Sequence, residues 1–271
     1  MYRKAIYKFL QVVAIVTALT ALATNGASAQ GGAAVTAYSP YTMFGIGELQ
    51  TLGTTQMRAM GGVGVAMYST NMTNMLNPAA YGFTPRQSFL FNFGIEAGHY
   101  RNSQAKFGTS TSEVKTAYNS VNIHDIAFQM PLAKGLGFGF SLTPYSNVGY
   151  TMYRDDVSPE IAGNLGRVRY QYYGEGDITE VKLAIGWAPV RQFSIGVAAR
   201  YFWGTIEREY TTQVTNVVTG SGVYASTKGV DSFVLNNFKF QAGVQWNIIS
   251  NDKRMLTFGA TYDLGGRLNP K

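Results

Sequence analysis

The stretch "FKFQAGVQWN", residues 238–247, decides the fold. Phe238, Phe240, Ala242, Val244 and Trp246 fall on one face of an extended chain, and Lys239, Gln241, Gly243, Gln245 and Asn247 fall on the other. A two-residue period of this kind is the mark of a β-strand with two unlike faces. The pattern recurs in both directions. Phe89, Phe91, Phe93, Ile95 and Ala97 oppose Asn92, Gly94, Glu96 and Gly98. Ile126, Phe128, Met130 and Leu132 oppose Ala127 and Gln129, and Leu136, Phe138, Phe140 and Leu142 oppose Gly137, Gly139, Ser141 and Thr143. Val181, Leu183, Ile185 and Trp187 oppose Glu180, Lys182, Ala184 and Gly186, and Phe193, Ile195, Val197, Ala199 and Tyr201 oppose Ser194, Gly196, Ala198 and Arg200. A last segment sets Leu256, Phe258, Ala260, Tyr262 and Leu264 against Thr257, Gly259, Thr261 and Asp263.

Seven such segments define an all-β protein. Alternation alone also suits a soluble sandwich with its apolar face turned to a core. Three features favour an antiparallel transmembrane β-barrel. The polar face carries glycines and charges that suit a wet or ligand-bearing interior. Aromatics recur near segment ends, at Trp187, Tyr201, Trp203, Trp246 and Tyr262, where membrane girdles belong. Connections also alternate between short (131–135, 188–192, 249–254) and long (101–119, 146–178, 204–232), the rhythm of periplasmic turns and outer loops.

Composition agrees. Among 271 residues only 14% are charged, against roughly 25% in ordinary soluble domains, while glycine reaches 31, tyrosine 18 and phenylalanine 16. Cysteine is absent, which is compatible with export but does not demonstrate it.

Residues 1–29 read as a signal peptide. Arg3, Lys4 and Lys8 precede an apolar run from Leu10 to Ala23, and Ala27-Ser28-Ala29 offers a small-residue cleavage site. The alternative, a single anchoring helix, is disfavoured because the run is short and no basic stop signal follows. Cleavage removes three of 22 basic residues and no acidic ones, so the formal charge falls from +7 to +4, an excess that calls for no nucleic-acid partner. No later run approaches the roughly 20 apolar residues of a membrane-spanning helix. Residues 86–271 are therefore expected to form the wall. An odd count of seven strands leaves unpaired edges, so the segment reads as an incomplete wall, with a truncated chain the favoured explanation.

Residues 30–85 do not alternate. They include "YSPYTMFGIGELQTLGTTQMRAMGGVGVAMYSTNMTNMLNPAAYGF", residues 38–83. Gly61, Gly62 and Gly64 lack the lysine and strand–helix context of a phosphate loop, and suit close backbone packing instead. Asn77-Pro78 favours a turn. The run "RAMGGVGVA" followed by "NMLNPAAYGF" resembles the outer-membrane long-chain fatty acid and aromatic hydrocarbon transporter family (the FadL/TodX type), in its Bacteroidetes-like version. That resemblance implies an N-terminal hatch folded into the lumen of a wall of roughly fourteen strands, of which this chain holds the N-terminal half. It implies passive uptake of hydrophobic molecules through the outer membrane of a Gram-negative bacterium, gated by the hatch, with lateral exit at a kink in the third strand. The hatch candidates are Gly61, Gly62, Gly64, Asn77, Pro78 and Ala79, and the lateral-opening candidate is Pro144. The opposing reading of Pro144 is that the strand ends at Thr143 and an outer loop begins.

Inward Glu96, Lys182, Arg200 and Lys239 are expected to pair across the lumen or to hold the hatch. His99 and His124 are expected near the outer ends of adjacent strands, but two histidines without further ligands do not make a metal site. Arg167, Arg169, Tyr170, Tyr172 and Tyr173 read as a polar strand extension before they read as a lipopolysaccharide contact. No nucleophile–base arrangement is visible, so no enzyme and no cofactor are expected. The expected partners are a hydrophobic solute, outer-membrane lipid and lipopolysaccharide. Two alternatives to uptake stand beside it: a structural or secretion-associated barrel that accepts exported cargo with secretion-system partners, and a general diffusion porin.

Overall fold

Alternation becomes a wall in the protein. A computed structural model describes residues 39–67, 69–104, 114–156, 167–215, 226–251 and 254–265. The signal-peptide reading falls outside these residues. All of the described residues lie in one compact unit, Val35–Lys271.

A two-residue strand, β1 (Glu48–Leu49), belongs to the N-terminal segment. The wall strands are β2 (Leu90–Gln104), β3 (Val114–Ala133), β4 (Leu136–Asp156), β5 (Arg167–Val190), β6 (Phe193–Thr215), β7 (Thr227–Asn251) and β8 (Arg254–Asp263). They pair in chain order, each antiparallel to the next, into a curled half-barrel, and β1 pairs with β4 off the main path. No helix among the described residues is long and apolar enough to cross a membrane, which leaves crossing by strands untouched.

The predicted faces hold. Phe91, Phe93, Ile185, Trp187, Val197, Phe238, Trp246, Phe258 and Tyr262 are exposed on the convex side, while Ala127, Ser141, Lys182, Ala184, Ser194, Ala198 and Gln245 are buried on the concave side. Trp203 stands opposite Thr179, eight residues above Trp187 on β5. At ~3.3 Å per residue that is about 26 Å along the strand, or roughly 20 Å of height at a tilt of 35–45°, which fits within the apolar band of about 25 Å in outer-membrane barrels.

The long connections are shorter than predicted, because the strands run on past the apolar band. β5 has 24 residues and β7 has 25, against the roughly 10 that a spanning strand needs. Polar outward residues such as Thr205, Glu207, Glu209 and Thr211 keep pairing without apolar alternation. The Arg167–Tyr173 cluster lies within β5. There Arg169 bonds Asp155 at 2.7 Å, an arrangement that fits the strand-extension reading.

Pro144 lies inside β4, so the strand does not stop at Thr143. Pairing between β4 and β5 continues past it with a register shift between Pro144 and Ser146. On the other side, β3–β4 pairing ends at Ile126 and Leu142. Both strands then continue apart, and a seam opens between them. Backbone of the N-terminal segment fills the β4 side of that seam. Glu48 and Leu49 pair with Asn147 and Ser146, the Gln50 amide donates to the Tyr145 carbonyl at 2.9 Å, and the Ser39 amide donates to the Gly149 carbonyl at 2.9 Å.

Candidate functional site

The concave face of the wall holds the N-terminal segment as a plug, and the seat is built largely from absent side chains. Gly137, Gly186, Gly196 and Gly243 stand directly opposite one another across β4, β5, β6 and β7. All four face inward. Together they form a ladder that crosses four strands at one level.

Against this ladder lies a six-residue 3₁₀ helix, Pro78–Phe83, running from β7 toward β4. A methyl group at Gly186 would fall 2.5 Å from both the Gly82 nitrogen and the Pro78 oxygen. At Gly137 it would overlap the Tyr81 carbonyl, at Gly196 the Pro78 carbonyl, and at Gly243 the Asn77 side chain. Only glycine lets main chain approach a sheet face this closely. The Tyr81 ring lies over Gly139 and packs with Ala184 and Ala198. Its burial is complete, which holds the phenol well above its ordinary pKa and therefore neutral.

Two asparagines fix the plug's course. Asn77 precedes Pro78 with extended backbone (φ −124°), and its side chain accepts from the Ala79 amide at 3.0 Å, an N-cap in effect. Its amide nitrogen donates to the Val65 carbonyl at 2.7 Å and the Val244 carbonyl at 3.1 Å, which ties plug to plug and plug to wall. Asn74 donates to the Gly64 carbonyl at 2.7 Å and accepts from the Leu76 amide at 2.9 Å. Wall side chains complete the seat. Ser194 donates to the Ala79 carbonyl at 2.6 Å, Gln245 to the Val65 carbonyl at 2.9 Å, and Gln129 to the Thr84 hydroxyl at 2.6 Å.

The predicted lumen charges divide into two groups. Glu96 takes a bidentate pair of bonds from Arg58 of the plug helix α1 (Thr55–Ala59), at 2.8 and 3.1 Å. Lys182, buried, donates to the Met75 carbonyl at 2.6 Å and also to Gln241. These two hold the plug. Arg200 instead clamps Glu180 with bonds of 2.7 and 2.8 Å and reaches Asp263 at 2.8 Å, within the wall. Lys239 faces the Phe202 ring, 5.9 Å from its centroid.

The predicted hatch residues also divide. Asn77, Pro78 and Ala79 lie at the centre of the seat. Gly64 is buried against Met57 and Leu76. Gly61 and Gly62 serve the C-terminus of α1 instead: both have positive φ, and their amides return to the Arg58 and Met57 carbonyls.

His99 and His124 do not stand side by side. His99 pairs with Asn119 near the outer end of the first hairpin. His124 is the extra residue of a bulge in β3, which turns both His124 and Asp125 inward. There Asp125 accepts from the Thr55 amide at 2.8 Å, from the Thr55 hydroxyl at 2.6 Å, and from Asn92. This buried carboxylate anchors the start of α1. In the sequence the bulge shows only as a change of phase, from outward Val121 and Ile123 to outward Ile126 and Phe128, which does not reveal a contact with the plug.

Higher on the wall the plug is held by apolar contact. Val148, Tyr150, Ile178, Phe202, Ile206 and Leu235 form a buried cluster, with Met43 and Ile46 of the plug packed against it.

A membrane-type β-wall with a plug bonded into its concave face defines a plugged outer-membrane barrel as the class of protein. The chain belongs to the BamG family, whose model matches residues 11–271. No curated protein and no solved structure matches it. The family match overturns the resemblance to the FadL/TodX transporters, and with it the expectation of hatch-gated uptake of hydrophobic solutes. The plug motifs that suggested transport mark a segment packed on glycine, a packing need that is not peculiar to transporters.

Proposed function

We propose that this protein is a structural, non-enzymatic component of the Gram-negative outer membrane, associated with the machinery that assembles outer-membrane β-barrel proteins. Membership of the BamG family carries this reading, since the name suggests an association with the barrel-assembly (Bam) machinery. The plug supports it. Inward Glu96 and Lys182 are engaged by the plug and Arg200 by Glu180 and Asp263, an arrangement unlike the open charged channel of a porin. The segment is bonded at Asn77, Ser194, Lys182 and Gln245 and fitted to a glycine ladder, as suits a fixed element. Export by the N-terminal signal and contact with surrounding lipopolysaccharide belong to the same reading.

Depletion in the native bacterium tests it. The heat-modifiable, folded fraction of outer-membrane barrels should fall, and tagged protein should co-isolate with the barrel-assembly machinery. Unchanged barrel levels together with no co-isolation would overturn the proposal.

A further inference from the structure

The short-turn end of the wall carries a recess at the rim of the membrane band. Pairing between β2 and β3 reaches down to Leu90 and Gln129. Below that level a cavity of about 270 Å³ opens between Arg86 and Gln87, which lead into β2, and Pro131, Leu132 and Ala133 at the end of β3. Leu132 is skipped in the β3–β4 register, between Pro131 and Ala133, and its side chain is 47% exposed.

Two chemistries meet here. The mouth is cationic. Arg86 lines it, Lys134 follows Ala133 directly in the turn before β4, and both are exposed. The chain has no Asp or Glu in 49–95, 126–154 or 181–206, the segments that build this end of β2 to β6, so no neighbouring stretch supplies a carboxylate to neutralise the pair. The flank is apolar. Phe89, two residues past Gln87, is 59% exposed and stacks on Phe128 at 6.0 Å, and Phe128 stacks in turn on Phe140 at 5.0 Å. This aromatic strip leads from the recess into the membrane band. Leu136, the first residue of β4, stands opposite Trp187 of the girdle, so the turn that carries Lys134 lies at the depth of lipid headgroups.

We propose that the recess binds an anionic phospholipid from the leaflet on the short-turn side, with its phosphate between Arg86 and Lys134 and an acyl chain along Leu132, Phe89 and Phe128. Charge complementarity selects this occupant. A phosphodiester accepts hydrogen bonds from both cations. The ammonium of a zwitterionic headgroup would meet the same two cations with no carboxylate to hold it. An acidic protein surface would engage the cations but not the lipid-facing strip. The site requires only that the wall stands in a membrane, so it goes beyond the assembly reading and does not rest on it.

A lone tryptophan beside the recess tests it. The three native tryptophans, Trp187, Trp203 and Trp246, are replaced by phenylalanine, and Phe91→Trp, opposite Phe128, supplies the reporter. The protein is reconstituted in phosphatidylcholine vesicles, with folding checked by heat-modifiable migration. The vesicles hold a minor fraction of chain-brominated phosphatidylglycerol or, in parallel, of chain-brominated phosphatidylcholine. Quenching should report a local enrichment of the anionic lipid of roughly tenfold, the effect expected of two basic residues at a lipid surface. Arg86→Gln with Lys134→Gln should bring the two lipids to parity, whereas Arg86→Lys with Lys134→Arg should keep the preference. A variant that retains only Trp203, at the other end of the band, should show no preference. Parity at Phe91→Trp would overturn the proposal, and so would a preference that survives the neutral pair. An equal preference at Trp203 would also overturn it, as a charge effect of the whole wall. Loss of the preference on adding soluble glycerol phosphate would make phosphate alone the ligand and remove the lipid site. None of these failures bears on assembly, because barrel levels on depletion measure a different property.

Discussion

The two ends of the plug are held by different chemistry. Near the short turns, main chain lies on the ladder of Gly137, Gly186, Gly196 and Gly243, and Asn77, Ser194, Gln245 and Gln129 tie plug to wall by hydrogen bonds. Toward the outer end, Met43 and Ile46 rest on Phe202, Ile206 and their apolar neighbours. Apolar contact is strong but tolerant of small shifts, whereas hydrogen bonds and close backbone approach are weak singly but admit one position. The outer region supplies adhesion, and the inner region supplies register.

Substitutions that separate those two roles put the contrast at risk. The largest effect is expected from Phe202→Ala, which empties the centre of the outer cluster and should cost about 3–5 kcal/mol. Thermal unfolding in detergent should show the loss, while protease cleavage within residues 74–84 stays as slow as in the parent protein below the transition. Early cleavage there would mean that register also depends on the apolar end.

Gly196→Val comes next. It forces a side chain into the space of the Pro78 carbonyl, an overpacking worth about 1–3 kcal/mol, and should release residues 74–84 to protease while the wall still migrates as a folded species. Val197→Leu, one residue along and facing outward, should do nothing; parity between the two would sink the ladder as a seat.

Asn77→Ala removes a cap and two bonds and should cost about 1–2 kcal/mol. The same protease assay should detect it, with an effect smaller than that of Gly196→Val. Asp155→Asn tests the strand extensions beyond both regions. It breaks an exposed pair with Arg169 that is screened by water, and should leave the melting temperature and the protease pattern unchanged.

All seven wall strands were legible in the sequence, because the membrane band forces alternation on most of the residues it touches, the bulge at His124 in β3 being an exception. Residues beyond it are free of that demand, so strand continued unannounced through Thr205–Thr215. The inward glycines were visible but were assigned to a wet interior; they make room for the plug. Gly186 lies five residues before the Arg191-Gln192 turn and Gly196 four after it, and they align only because an irregularity between Trp187 and Val190 shifts the register by one, which hairpin spacing does not reveal. Nor was the match of Gly196 to Gly243 readable, since a long outer connection of unknown register separates them. Lys182 and Glu96 could be placed inside, but their partners Met75 and Arg58 sit on a non-alternating segment whose path no periodicity reveals. The transporter resemblance failed for a related reason: the plug motif encodes a shape, and a shape does not name a cargo.

The glycine ladder also sets an order of events. Asn77 and its wall partner Val244 are 167 positions apart in the chain. The seat is divided among four strands, the last of which begins at Thr227. The segment that fills the seat is therefore made first and finds its complete template last. Contacts so distant in sequence slow folding and leave apolar segments waiting unpaired. The plug must remain unsettled until β7 has zipped onto β6, which makes its final placement a late checkpoint on the correct pairing of the wall.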